Sequence, residues 1–119
     1  MKYHESEEMY LETILLLTKR SSEVRSIDVA NELNYSRASV SRAMGLLQKK
    51  EYIKIDNGNI KLTESGMKKA NDIFERHEII TDLLKHIGVS SELAEENACR
   101  IEHVISPELL EYFKKFLNR

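Results

Sequence analysis

A chain of 119 residues, 41% hydrophobic and 32% charged, makes one compact unit or two small lobes sharing an interface, not two independent domains. That balance excludes a disordered tail, and the single cysteine excludes an internal disulfide framework. A net charge of −2 offers no global field to attract nucleic acid.

The first predicted helix starts at Ser6 as N-cap, with Glu7 and Glu8 in the favourable first turn. Leu11, Ile14, Leu15 and Thr18 recur at helical spacing after it. Ser26 is expected to cap a short second helix, IDVANELN, whose Ile27, Ala30 and Leu33 form one face. Ser36 caps a third, RASVSRAMGLLQKK, with Val40, Met44 and Leu47 inward. After Glu51 two short β-branched segments flank Asn57-Gly58, a strong hairpin signal. Thr63 caps a long helix closing at Gly88, Ser90 or Ser91 opens a fifth, and Ser106-Pro107 opens the last. The fold class is mainly α. A winged helix-turn-helix with a small hairpin wing occupies residues 1–72, and a helical dimerisation lobe occupies 73–119.

The charge is unevenly spread. Residues 20–55 carry seven Lys/Arg against four acids, and the remainder has eleven basic against sixteen acidic residues. Helix, turn, helix and hairpin in this order place the third helix in a DNA major groove. The candidate DNA-binding residues are Ser36, Arg37, Ala38, Ser39, Ser41 and Arg42, with Lys54 and Lys61 on the wing. Arg forks guanine or phosphate, Ser donates to phosphate or base edges, and Ala meets a thymine methyl. The competing reading is a winged helix used only for protein contacts, its charges merely solvated.

Near the C-terminus Glu95, Cys99, Glu102 and His103 fall on one face of a continuous helix at 100° per residue. Two carboxylates, a thiol and an imidazole are ligands for a divalent transition metal. Taken singly, each has a plainer reading: a packed small hydrophobe for Cys99, solvated surface for Glu102 and His103. A catalytic Cys-His pair is disfavoured, because no Gly-rich loop or oxyanion hole accompanies it.

The segments EEMYLETI, SRASVSRAMGLLQKKEYI, LTESG, RHEIITDLL and ACRIEHVIS, in this order and spacing, resemble the diphtheria toxin repressor family of metal-dependent transcriptional repressors. The resemblance covers almost the whole chain. It implies a DNA lobe that includes the N-terminal helix, a dimerisation lobe that holds the cysteine, and metal bound between them. It assigns Met9, Cys99, Glu102 and His103 to the metal site of the iron-responsive branch and His77 to a neighbouring site. Glu12 corresponds to a ligand of the manganese-responsive branch. Two departures stand out: Glu95 replaces a His of the neighbouring site, and Thr81, a poor ligand, replaces a Glu. Longer members add an SH3-like domain, and a chain ending at Arg119 reads as a short form without it.

The resemblance thus implies a non-enzymatic repressor with Fe2+ as corepressor, Mn2+, Zn2+, Co2+ and Ni2+ being alternatives. A homodimer would bind a palindromic double-stranded operator of metal-homeostasis genes, in the cytoplasm and without a membrane partner. Ile79, Ile80, Leu83, Leu84, Ile87, Val104, Ile105, Leu109, Leu110, Phe113 and Phe116 supply more apolar surface than so small a lobe can bury alone. The alternative is a metal-independent winged-helix regulator that responds to a small molecule or protein, with Cys99 simply packed.

Overall fold

The computed structural model describes residues 7–119. Their elements are α1 (Glu7–Arg20), α2 (Ser26–Leu33), α3 (Arg37–Lys49), β1 (Ile53–Asp56), β2 (Asn59–Leu62), α4 (Glu64–His86), α5 (Ser91–Ile101) and α6 (Pro107–Phe116). The expected cap at Ser6 lies outside the described residues. The chain divides into two compact units, the first ending at Asn71 and the second comprising Asp72–Arg119, so the boundary falls inside α4.

Local chemistry sets most element ends. Ser36, Ser90 and Ser106 each accept a hydrogen bond from the backbone N–H three residues on. Each such cap contributes about 1 kcal/mol. Pro107 follows Ser106 at the first helical position, where its missing N–H costs nothing. Helix α2 departs from expectation. Its N-cap is Arg25, and Ser26 is already helical. The Asp28 carboxylate three residues on accepts from the Arg25 backbone N–H at 2.8 Å, which fixes that start. Its buried side also differs: Val29 and Ala30 are buried while Ile27 and Leu33 are only partly so. α2 packs on both α1 and α3, so its apolar arc is centred between those two neighbours.

The first unit is cross-braced. In the hairpin Ile53 pairs with Leu62, Lys54 with Lys61, Ile55 with Ile60 and Asp56 with Asn59. Asn57 and Gly58 both take positive φ, 52° and 80°, as a two-residue type I′ turn requires. Val24 ties the wing to the segment before α2: its carbonyl accepts from Ile60 N–H at 2.7 Å, and its N–H donates to the Asn59 side chain. The LTESG segment has a physical basis here. Thr63 Oγ1 accepts from Gly66 N–H at 3.1 Å and donates to the Glu51 carbonyl at 2.7 Å. A Cβ on Gly66 would lie 2.0 Å from the Tyr52 carbonyl oxygen, so only glycine lets α4 start against this turn.

In the second unit Ile79, Ile80, Ala98 and Leu110 form the buried centre, with Leu84, Ile101, Ile105, Phe113 and Leu117 packed around it. Ile87, Val104, Leu109 and Phe116 are exposed, at 65%, 48%, 46% and 56%. The apolar stripe expected from sequence is therefore part core and part surface. Among the described residues, no helix is long and apolar enough to cross a membrane.

Candidate metal centre and nucleic-acid interface

Within the second unit, α4 brings His77 alongside α5 and the turn that follows it. His77 Nδ1 lies 2.6 Å from Glu102 Oε1, and its Nε2 lies 2.7 Å from Glu95 Oε2. Cys99 Sγ is 4.0 Å from His77 Nδ1. Nitrogen, sulfur and oxygen donor atoms of His77, Cys99 and Glu102 all lie within 4.8 Å of one another. Glu95, Cys99 and Glu102 share the face of α5 that meets His77, as their helical spacing leads one to expect. The helix ends at Ile101, but Glu102 keeps helical dihedrals and donates its N–H to the Ala98 carbonyl, whereas His103 lies in the following turn. His77 from α4, rather than a fourth α5 position, completes the donor group.

The electrostatics suit a cation. Glu102 is completely buried, and its Oε2 has no hydrogen-bond partner. His103 Nε2 stands 3.5 Å from that oxygen. A buried carboxylate oxygen without a donor carries a desolvation cost that a metal ion or proton relieves. The hydrogen bond with Cys99, then that with Glu102, and after them Glu95, push the His77 imidazole up to about 11, against the opposing effect of burial. A proton on His77 thus stands where a cation would bind. Borderline-soft sulfur, imidazole nitrogen and carboxylate oxygen fit a first-row divalent ion.

Two neighbours escaped sequence reasoning. Arg76 donates from Nη1 to the Glu102 carbonyl at 2.7 Å and anchors the turn that carries this carboxylate. Its place beside His77 in the RHE run was the available signal. In the first unit the Tyr35 hydroxyl donates to the Met9 thioether at 3.2 Å, a contact across 26 positions that no local pattern announces. Met9 and Glu12 are both partly buried on α1.

The first unit also presents the candidate DNA surface. Arg37, Ala38, Ser41 and Arg42 are exposed along the N-terminal half of α3. Ser36 and Ser39 are partly committed to the cap: Ser36 Oγ accepts from Ser39 N–H and pairs with Ser39 Oγ at 3.0 Å. Arg20, Arg25 and Lys50 are ion-paired with Glu32, Glu23 and Glu7. Among the described residues Arg37, Arg42, Lys54 and Lys61 have no such partner. Lys54 and Lys61 face each other across the hairpin and are exposed, while Ile53 and Ile60 point inward. Four unneutralised cations on the helix and the wing form a surface suited to phosphates.

Comparison with known proteins matches residues 2–58 to the family described as iron dependent repressor, N-terminal DNA binding domain. Residues 63–119 match the iron dependent repressor, metal binding and dimerisation domain. An uncharacterised HTH-type transcriptional regulator of Methanocaldococcus jannaschii is 31% identical, over 97% of this chain and 94% of its own. The solved structure of T. acidophilum IdeR superimposes with a TM-score of 0.86 at 26% identity, covering 100% of this chain and 56% of that one. A structure described as the manganese regulator SloR gives 0.83 at 25% identity, covering 98% and 55%. The chain spans little more than half the length of those two solved chains.

Proposed function

The chain belongs to the iron-dependent repressor family, the diphtheria toxin repressor family of the sequence resemblance, and from that premise we propose Fe2+ as its corepressor and a palindromic operator as its target. Membership makes it a metal-dependent transcriptional regulator with a DNA-binding and a dimerisation domain, and not an enzyme. The finer reading assigns DNA reading to residues 1–72 and metal binding with dimerisation to 73–119. It places a homodimer on metal-homeostasis genes in the cytoplasm. Ser36, Arg37, Ala38, Ser39, Ser41, Arg42, Lys54 and Lys61 would face DNA.

One observation carries the metal reading: the buried, half-unpartnered Glu102 carboxylate beside His77 and Cys99. His77, Cys99 and Glu102 would hold the ion, with Glu95 and His103 adjoining. Met9 and Glu12 enter the ligand set through the resemblance alone. A bound divalent cation would supply fixed positive charge and directed bonds to these donors. The thiol favours Fe2+, with Co2+, Ni2+ and Zn2+ as competitors. A specific observation supports a second reading, Mn2+: one solved relative is a manganese regulator, and Glu12 adds an oxygen donor. Linkage requires the operator to tighten metal binding by the factor with which metal tightens operator binding, typically about 5- to 150-fold.

The test titrates Fe(II) anaerobically, and Mn(II) in parallel, into protein with a palindromic operator library, with and without chelator. Retention that needs metal, at lower Fe(II) than Mn(II), supports the reading, and the reverse order selects manganese. Cys99→Ala should abolish the metal response in a folded dimer. Retention indifferent to chelator would instead select the metal-independent regulator.

A further inference from the structure

Tyr35 occupies an unusual position in the first unit. It sits in the turn between α2 and α3, immediately before Ser36, the N-cap of the reading helix. Its backbone is fixed: Asn34 takes the left-handed conformation at the end of α2, and Tyr35 N–H donates to the Ala30 carbonyl at 3.1 Å. Its side chain reaches back to α1 at two consecutive residues. The ring packs edge-on against Tyr10, centroids 6.1 Å apart at 68°, and the hydroxyl donates to Met9 Sδ at 3.2 Å.

We infer that Tyr35 sets the threshold for metal binding by competing, through its hydroxyl, for the thioether of Met9. This rests on the reading of Met9 as a ligand. A thioether is a weak acceptor whose lone pairs serve hydrogen bonding and coordination alike. Coordination draws density out of the sulfur, so the sulfur becomes a poorer acceptor for the Tyr35 hydroxyl when Met9 serves as a ligand. The Tyr35–Met9 bond is therefore stronger in the metal-free protein, and it opposes binding by the difference. A neutral hydrogen bond of this kind has a net worth corresponding to about two- to tenfold in an equilibrium constant. The same bond ties a metal donor to the residue that leads into α3, which makes Tyr35 a positioning residue at the junction of sensing and reading.

The test uses Tyr35→Phe, which keeps the ring on Tyr10 and removes only the hydroxyl, and Met9→Leu, alone and combined. Fe(II) affinity is measured anaerobically on the full chain by competition with a chromophoric chelator, without DNA. The near-ultraviolet tyrosine spectrum is recorded with and without Fe(II). Tyr35→Phe should bind Fe(II) about two- to tenfold more tightly, and this gain should vanish in the Met9→Leu background. The wild-type tyrosine difference spectrum should be diminished in either variant. If Tyr35→Phe binds Fe(II) equally or more weakly while Met9→Leu still weakens binding, the competition is wrong and the ligand role of Met9 stands. If Met9→Leu leaves the affinity unchanged, Met9 is no ligand and both ideas fall.

Discussion

The two units solve the problem of burial differently. In the first, Leu11, Ile14, Val24, Val29, Val40, Met44, Leu47, Ile53 and Ile60 are buried side by side, drawn from three helices, a loop and both strands. The hairpin and the start of α4 are pinned to the rest by backbone hydrogen bonds. In the second, Ile73, Ile79, Ile80, Ala94, Ala98 and Leu110 are buried, two of them only alanines, and Ile87, Leu109 and Phe116 are left in the open. A small helical unit with so few buried side chains gains stability when a second copy covers that surface. This is the physical counterpart of the dimerisation domain matched by its sequence. The reading unit is closed on itself, and the sensing unit is built to be completed.

The largest expected effect breaks the first unit alone. Gly66→Val forces a Cβ into the Tyr52 carbonyl and should cost about 3 kcal/mol or more. Urea unfolding and amide exchange would show it, with exchange rising more in residues 7–71 than in 72–119. Equal loosening of both units would mean that they are not separately stabilised. Next, Phe116→Glu places a charge on the exposed apolar surface and should weaken self-association about tenfold or more, read by sedimentation. An unchanged dimer would move the interface away from α6.

The smallest effect concerns pH. The folded-state value of His77, about 11, is above its ordinary 6.5. Its protonated contacts therefore stabilise the metal-free fold fully below about 6.5, and this contribution is lost as pH rises toward 11. With chelator present, the Tm of the wild type should fall between pH 7 and 10 by several degrees more than that of His77→Gln. Parallel curves would remove His77 from the stability of the second unit.

Much of this architecture was legible because it is local. Thr63, Ser36, Ser90 and Ser106 announce helix starts within four residues, and Asn57-Gly58 dictates its own turn. The start of α2 was misread because Ser26 and Asp28 are both good capping types, and only geometry shows which one acts. The donor cluster was half legible. Cys99 and Glu102 stand out by type, and the resemblance pointed to His77. Helical spacing grouped Glu95, Cys99 and Glu102, and only His103 falls past the helical register. The burial of Glu102 and the reach of Arg76 depend on α4 lying against that turn, 25 or more residues away in sequence.

The wing carries a built-in tension. Lys54 and Lys61 are directly opposed on adjacent strands, an arrangement that disfavours the free hairpin by about 0.2–1 kcal/mol. An acid at either position would turn the repulsion into attraction and strengthen the hairpin, while removing a cation that the proposed reading sets against DNA. Selection for fold stability alone would erase this pair. On the proposed reading the pair exchanges hairpin robustness for avidity toward a polyanion, and laboratory evolution toward thermostability is expected to substitute it early.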